Sequence, residues 1–255
     1  MEPAGIGHKF LMREWITSRN AALEILRLRS RDLFRLQIAK GVQASGKLNE
    51  LIQLAGKNKI IPTQVDRRQL DAIDPNHQGI ALEVSGYRYA DLTDVSENAA
   101  ARNEPLFVVL LDLIQNPQNL GTLIRSAEAA GVHGIIMPSA RSAGVTPAVV
   151  HSSAGATEHL AVVQMNLAQA IDALHDQNVW VIGLDGGSDS VPIDPGRLGG
   201  KLAIVVGSEG EGMRPLTRKL CDEIVRLPMK GKIESLNAAT AGSIVIYLSY
   251  LMNRQ

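Results

Sequence analysis

The sequence predicts an α/β protein in two parts, a small N-terminal unit and a larger C-terminal one built on a parallel sheet. Three observations lead there. Aromatic residues make up only 4% of the 255 while 23 residues are glycine, a balance that favours alternating strands and helices over an all-β sandwich. Residues 106–113, LFVVLLDL, form a near-continuous apolar run, as expected of a strand covered on both faces. The charge is also divided. Residues 1–90 hold 14 Lys/Arg against 9 Asp/Glu, net +5, and residues 91–255 hold 12 against 17, net −5. A formal total of zero thus joins a basic module to an acidic one. Between them the polar stretch 91–105, DLTDVSENAAARNEP, reads as a linker. The expected division is 1–90, a linker at 91–105, and 106–255.

In the first part, Ser18 or Asn20 can cap a helix whose Ala22, Ile25 and Leu26 share a face. Phe34, Leu36 and Ile38 alternate with Arg35 and Gln37, the pattern of a half-buried strand. Leu48, Leu51, Ile52 and Ala55 fall at i, i+3, i+4 and i+7, a helical stripe. Strands at 60–65 and 80–84 complete a β-α-β-α-β run. Five arginines, Arg19, Arg27, Arg29, Arg31 and Arg35, crowd this module. They read either as a solvated helix face with snorkelling stems or as a phosphate-contacting surface, since guanidinium forks match phosphate oxygens.

In the second part, helices are expected at 119–130, 167–175, 213–220 and 236–252, with Gly131 ending the first. Strands are expected at 134–137, 179–184, 201–206 and 224–227. Such alternation is that of an α/β sheet with crossover helices. Cys221 is the only cysteine, which rules out a disulfide or a Cys-built metal site within one chain. The six histidines form neither an H-x-x-x-H pair nor an HExxH helix, so no metal is expected. No apolar run reaches the roughly 18–20 residues that span a bilayer. The opening residues lack a signal-peptide core, and a reducing cytoplasm is expected.

Three segments at strand-to-loop transitions concentrate unusual residues, where open α/β sheets bind their ligands. The first runs from Asp112 through Asn119 to Arg125. Asn119 suits a helix N-cap. Arg125 interrupts the apolar face of Leu120, Leu123, Ile124 and Ala127, so it needs either a structural carboxylate or an anionic ligand. The second, VVGSEGEGM, places glycines at 207, 210 and 212, which match neither a Walker loop nor GxGxxG. Its Glu209 and Glu211 would repel a pyrophosphate. The third, LPMKGKIESLNAA, contains Ser235, a possible cap of the last helix, and Asn237, whose polar side chain that helix start does not require.

Taken together, N-x-x-x-x-x-R, V-G-S-E-G-E-G-M and L-P-M-x-x-x-x-E-S-L-N-A-A resemble the SpoU (TrmH-type) RNA 2′-O-ribose methyltransferases of the SPOUT class, in the family's order over residues 106–252. SRNAALE at 18–24 and NHQGI at 76–80 look like the N-terminal substrate-binding domain of the RlmB-like subgroup, which methylates a guanosine of large-subunit rRNA. The resemblance implies an L30e-like RNA-binding α/β domain followed by a catalytic domain tied in a trefoil knot. It also implies S-adenosylmethionine held largely by backbone around Gly207, Leu227 and Leu236. A homodimer through the last helix would use Ile244, Ile246, Tyr247, Tyr250 and Leu251.

By the same resemblance, Arg125 stands nearest the methyl transfer, with Asn119, Glu209, Ser235 and Asn237 as the other functional positions. An arginine, whose free pKa exceeds about 12, suits phosphate anchoring or alkoxide stabilisation better than proton abstraction. Glu209 is expected to orient Arg125 or its loop, and Ser235 and Asn237 to bond substrate or shape their loop. Other readings stay open at this point: a non-methylating assembly factor, a resistance-type rRNA enzyme, or a tRNA substrate. A nucleotide-dependent dehydrogenase has the least support, lacking any strand–GxGxxG–helix unit.

Overall fold

The computed structural model describes residues 12–43, 46–187, 189–210, 212–233 and 235–253. The chain divides into two compact units, Met1–Arg88 and Tyr89–Gln255.

The first unit carries β1 (Arg13–Ile16), α1 (Arg19–Leu28), β2 (Leu33–Ala39), α2 (Gly46–Lys57), β3 (Thr63–Val65), α3 (Arg67–Asp71) and β4 (Ile80–Ser85). The sheet order is β1-β4-β2-β3, so β4, buried at every residue, lies inside it. Helices α1 and α2 pack together, tied by Asn58 Nδ2 donating to the Leu26 carbonyl at 3.0 Å. α3 covers one end of a sheet face, where Leu70 meets Ala39, Val65 and Ala81. β1 escaped the sequence reading because its four residues, REWI, show no clean alternation.

The second unit carries α4 (Leu92–Arg102), β5 (Phe107–Asp112), α5 (Pro117–Ala129), β6 (Gly134–Met137), α6 (Pro147–Ser152), β7 (Ala161–Gln164) and α7 (Leu167–His175). It continues with β8 (Trp180–Leu184), β9 (Val191–Pro192), β10 (Leu202–Gly207), α8 (Pro215–Leu220), β11 (Glu223–Arg226) and α9 (Ala238–Asn253). Every pairing in its seven-stranded sheet is parallel, in the order β7-β6-β5-β10-β8-β11-β9. The order reverses between β5 and β10, a topological switch point whose carboxyl ends open a crevice. β5 and β10, buried throughout, supply the centre of the core.

The stretch 91–105 is not a linker. It forms α4, started by an Asp91/Asp94 capping box, and Val95 and Ala99 are buried in the core of the second unit. Leu92, Val95 and Ala99 make a narrow i, i+3, i+7 stripe that the surrounding polar residues hide. Two helix starts also differ from expectation. Asn116, not Asn119, caps α5, its side chain accepting from the Gln118 amide. Asn237, not Ser235, caps α9, accepting from the amides of Ala239 and Thr240 at 2.9 and 3.1 Å.

Cys221 is half-buried, and burial next to Asp222 pushes its thiol up to about 12, so it is protonated at neutral pH. His133 is buried; Phe107 donates to its Nδ1 at 3.0 Å and Glu104 meets its Nε2 at 3.0 Å. Burial holds its pKa below the ordinary value despite Glu104.

As pH falls below the ordinary histidine value, the unfolded chain takes up the proton before folded His133 does. Its contribution to stability is present above that value and is lost as pH falls towards the folded pKa. Urea midpoints for the protein and His133→Gln should therefore converge between pH 7 and pH 5. Packing yields a second test. A Cβ on Gly121 of α5 would stand 1.9 Å from Ser152 Oγ and 2.9 Å from the Ser153 amide nitrogen. Gly121→Ala should cost about 1–3 kcal/mol in urea unfolding.

Candidate active site

The site is assembled at the carboxyl ends of β5 and β10, paired so that Asp112 faces Gly207. Asp112 is fully buried; its carboxylate accepts from the Arg214 amide at 2.9 Å and Arg214 Nε at 2.7 Å. Between these anchors the chain makes a tight turn, with Ser208 and Gly212 exchanging backbone hydrogen bonds of 3.0 and 3.2 Å. Gly207 has to be glycine, since a Cβ there would lie 2.4 Å from the Gly212 carbonyl carbon and 2.5 Å from the Met213 nitrogen. Glu211 and Glu234 of the motifs lie outside the described residues.

The turn delivers Glu209 to the two asparagines. Glu209 Oε1 accepts from Asn119 Nδ2 and, at 2.7 Å, from Asn237 Nδ2. Asn237 Nδ2 also approaches Asn119 Oδ1 at 3.4 Å. One residue from each segment therefore meets in a single network. Asn119 sits in the first turn of α5, and Asn237 caps α9 with its oxygen while its amide reaches Glu209. Of the two expectations for Glu209, to orient Arg125 or its loop, the structure shows no contact with Arg125 among the described residues. Glu209 instead holds Asn119 at the start of the segment that carries Arg125.

Arg125 stands outside this network. It is exposed, six residues beyond Asn119 and so about 9 Å along the helix, with no hydrogen bond or ion pair among the described residues. The carboxylate partner that a structural role would require is absent among those residues.

Glu209 of the network also borders a cavity of about 410 Å3, lined by Leu184, Asp185, Gly207, Leu227 and Leu236, among others. Gly207, Leu227 and Leu236, the expected donor-binding positions, all border it, as does Ser235. A second cleft of about 690 Å3 is bordered by Leu113, Gln115, Asn116, Asn119, Ser208 and Glu209. Ser208 and Glu209 belong to both walls. Leu113 holds a left-handed φ of 63°, a conformation that costs of order 1–3 kcal/mol and concentrates at functional loops.

Asp185 was missed, although its place just after β8 is a strand end of the kind that binds ligands. Its carboxylate accepts from the Gly187 amide at 3.0 Å and Arg218 Nη1 at 2.6 Å, and Arg218 also pairs with Asp189. That guanidinium holds Asp189 below the usual carboxylate range. No group of three or more potential metal-binding His, Cys, Asp or Glu occurs among the described residues.

Residues 106–247 match the SpoU rRNA Methylase family. The chain belongs to that family of RNA methyltransferases. Residues 19–90 match the RNA 2′-O ribose methyltransferase substrate-binding family. YacO of Bacillus subtilis (strain 168), named for the TrmH family of tRNA/rRNA methyltransferases, is 37% identical over 241 residues, 93% of this chain and 95% of its own. Among solved structures, the SpoU methyltransferase AviRb from Streptomyces viridochromogenes, in complex with AdoMet, superposes with a TM-score of 0.75 at 23% identity. That match covers 94% of this chain and 90% of AviRb. An AdoMet-bound rRNA methyltransferase from Sinorhizobium meliloti gives 0.72 at 20% identity, over 93% of this chain and 86% of its own. No helix among the described residues of this SpoU family member is long and apolar enough to cross a membrane.

The RNA-facing arginines expected in the first unit are unequal. Arg31 is inside, its side chain 1% exposed, paired with Glu14 at 2.9 Å and 5.2 Å from the Tyr87 ring centroid. It cannot meet a phosphate without breaking that pair. Arg27 bonds Glu24 and Glu50, both at 2.5 Å, which raises its pKa. Arg19 Nε donates to the Gln78 carbonyl at 2.8 Å, and exposed Arg29 reaches the Lys57 carbonyl only at 3.5 Å.

The double duty of Asn237 can be separated by substitution. Asn237→Ala loses cap and tether and should cost about 1 kcal/mol in urea unfolding. Asn237→Asp keeps the cap but sets a second carboxylate against Glu209. One of the pair should then titrate well above the usual carboxylate range, visible as a new step in an NMR pH titration of the side-chain carboxyls.

Proposed function

We propose that this protein transfers a methyl group from S-adenosylmethionine to a ribose 2′-oxygen of RNA, with a guanosine of large-subunit rRNA as the acceptor. The observation that carries this reading is the Asn119–Glu209–Asn237 network, whose Glu209 borders two cavities at the switch point of a parallel sheet. The family supplies the chemistry, and the presence of a separate substrate-binding unit favours rRNA.

The 410 Å3 cavity has the size of a small-molecule pocket, and its wall at Gly207 leaves no room for a Cβ. Backbone around Gly207, Leu227 and Leu236 would hold the donor there, and Asp185 offers carboxylate oxygens to its amine or hydroxyls. When bound, S-adenosylmethionine supplies a methyl group activated by a sulfonium. The acceptor nucleotide enters the cleft bordered by Gln115, Asn116 and Asn119. There the asparagine amides are held in fixed orientation by Glu209, while its Oε2, which accepts nothing among the described residues, is open to a substrate hydroxyl. A ribose hydroxyl is a weak nucleophile. As its oxygen takes the methyl, the carbon–sulfur bond breaks to leave a neutral thioether and the hydroxyl proton leaves to solvent. Stabilising the developing charge on that oxygen is therefore the main task of the protein. Arg125, unpaired and exposed, supplies a guanidinium for the neighbouring phosphate or for that developing alkoxide. Ser235, at the rim of the donor cavity, bonds substrate or shapes the 227–236 loop.

The trefoil knot and the homodimer belong to the same proposal. Segments 207–212 and 227–236 both line the donor cavity, and α9 packs on α5 and β10 beneath them. On α9, Ile244, Tyr247 and Leu251 form an exposed stripe at i, i+3 and i+7 that suits a second copy, with Tyr250 edge-on to Tyr247. Ile246 is fully buried and leaves the expected dimer face.

The test uses tritiated S-adenosylmethionine with separate unmodified large-subunit rRNA, small-subunit rRNA and tRNA. Alkali-resistant linkages then locate the label. Label at a large-subunit guanosine is the expected result, and label confined to tRNA would overturn the substrate. Arg125→Ala should lower turnover by a hundredfold or more while donor affinity, measured by calorimetry, stays within about twofold. Near-intact turnover would remove Arg125 from the mechanism.

A further inference from the structure

Two arginines of the first unit are held in an arrangement unlike the others. The register places Trp15 and Arg35 on either side of Glu83, so that the three form a row across β1, β4 and β2. Glu83 is only 5% exposed, and its carboxylate accepts from Arg35 Nε at 2.7 Å with Arg13 Nη1 at 3.7 Å. The Arg35 guanidinium lies over the Trp15 ring, 4.8 Å from its centroid, and that of Arg13 lies 4.1 Å from the centroid of Phe34. Phe34 is the residue at the β2 irregularity between Leu33 and Arg35. Both arginine side chains nonetheless keep more than half of their surface in solvent, 58% and 56%.

We propose that this row is a stacking platform for unpaired bases of a single-stranded RNA segment. The identity of the polymer rests on the proposed function; the mode of contact rests on these four side chains and Glu83. A guanidinium backed by an aromatic ring is a flat, cationic surface, and bases stack on arginine planes and aromatic rings alike. The buried Glu83 fixes both guanidiniums before any ligand arrives, so less rotamer freedom is lost on binding. It neutralises one of the two charges and leaves the platform at net +1, inside a unit of net +5. That charge suits a polyanion. An apolar protein surface would have to strip water from two guanidiniums, and a double helix keeps its base faces inside the stack. Arg27 and Arg31, by contrast, are committed to carboxylates of their own unit.

The experiment uses the full chain carrying Trp180→Phe, which leaves Trp15 as its one tryptophan. A twelve-nucleotide single strand of mixed sequence and the matching RNA duplex are titrated in turn, following Trp15 emission and the anisotropy of end-labelled RNA. The single strand should change Trp15 emission in step with binding, and the duplex should not. Arg13→Lys/Arg35→Lys, which keeps charge but removes both planes, should weaken single-strand binding about tenfold or more. Three results would overturn the platform: binding with Trp15 emission unmoved, a double-lysine variant that binds as tightly, or an emission change that tracks protein concentration without RNA, which would seat a second copy on this face. Failure of methyl transfer to every RNA would instead sink the proposed function, and it is read in a separate assay.

Discussion

A carboxylate with no access to solvent ends β5, and the geometry of the candidate site follows from its need for partners. An ionised group buried without compensation costs several kcal/mol, and Asp112 is compensated by two hydrogen bonds from Arg214. To deliver them, the chain leaving β10 must double back at once. It does so through the Ser208–Gly212 turn, passing so close to Gly207 that no side chain fits there. Glu209 is carried at the tip of this turn, and its place beside Asn119 and Asn237 is therefore fixed from beneath by a residue that touches neither cavity.

The charges of the molecule divide into those spent on structure and those left over. Arg27, Arg31, Arg214 and Arg218 each satisfy carboxylates of their own unit. Arg125 does not, and its isolation on an otherwise packed helix is the counterpart of the tightly paired network two turns away. A net charge of zero says nothing of this division, because it counts both kinds alike.

Much of the second unit was legible in the sequence. Buried parallel strands are written as continuous apolar runs, and the three segments that follow them stand out by their polar residues. Less legible were features that depend on partners distant in sequence. α4 hides because only three apolar residues are needed to dock a polar helix. β9 is two residues long and exists through its pairing with β11. Arg31 looked like its neighbours, and only the approach of Glu14 and Tyr87 in space makes it an interior residue. The caps show the same limit. Asn116 and Asn119, or Ser235 and Asn237, are chemically equivalent as candidates within a few residues of each other, and the choice between them is made by where the helix axis points.

Because one side chain both starts α9 and completes the network, the order of synthesis bears on when the candidate site is assembled. β5, β10 and the turn carrying Glu209 are translated well before residue 237, and domains generally fold from the N-terminal side as the chain is made. During that interval Glu209 and Asn119 have met no third partner, and the wall of the cavity formed by Ser235, Leu236, Ala238 and Ala241 does not yet exist. The polar network and the cavity beside it are therefore complete only once the last helix has been made.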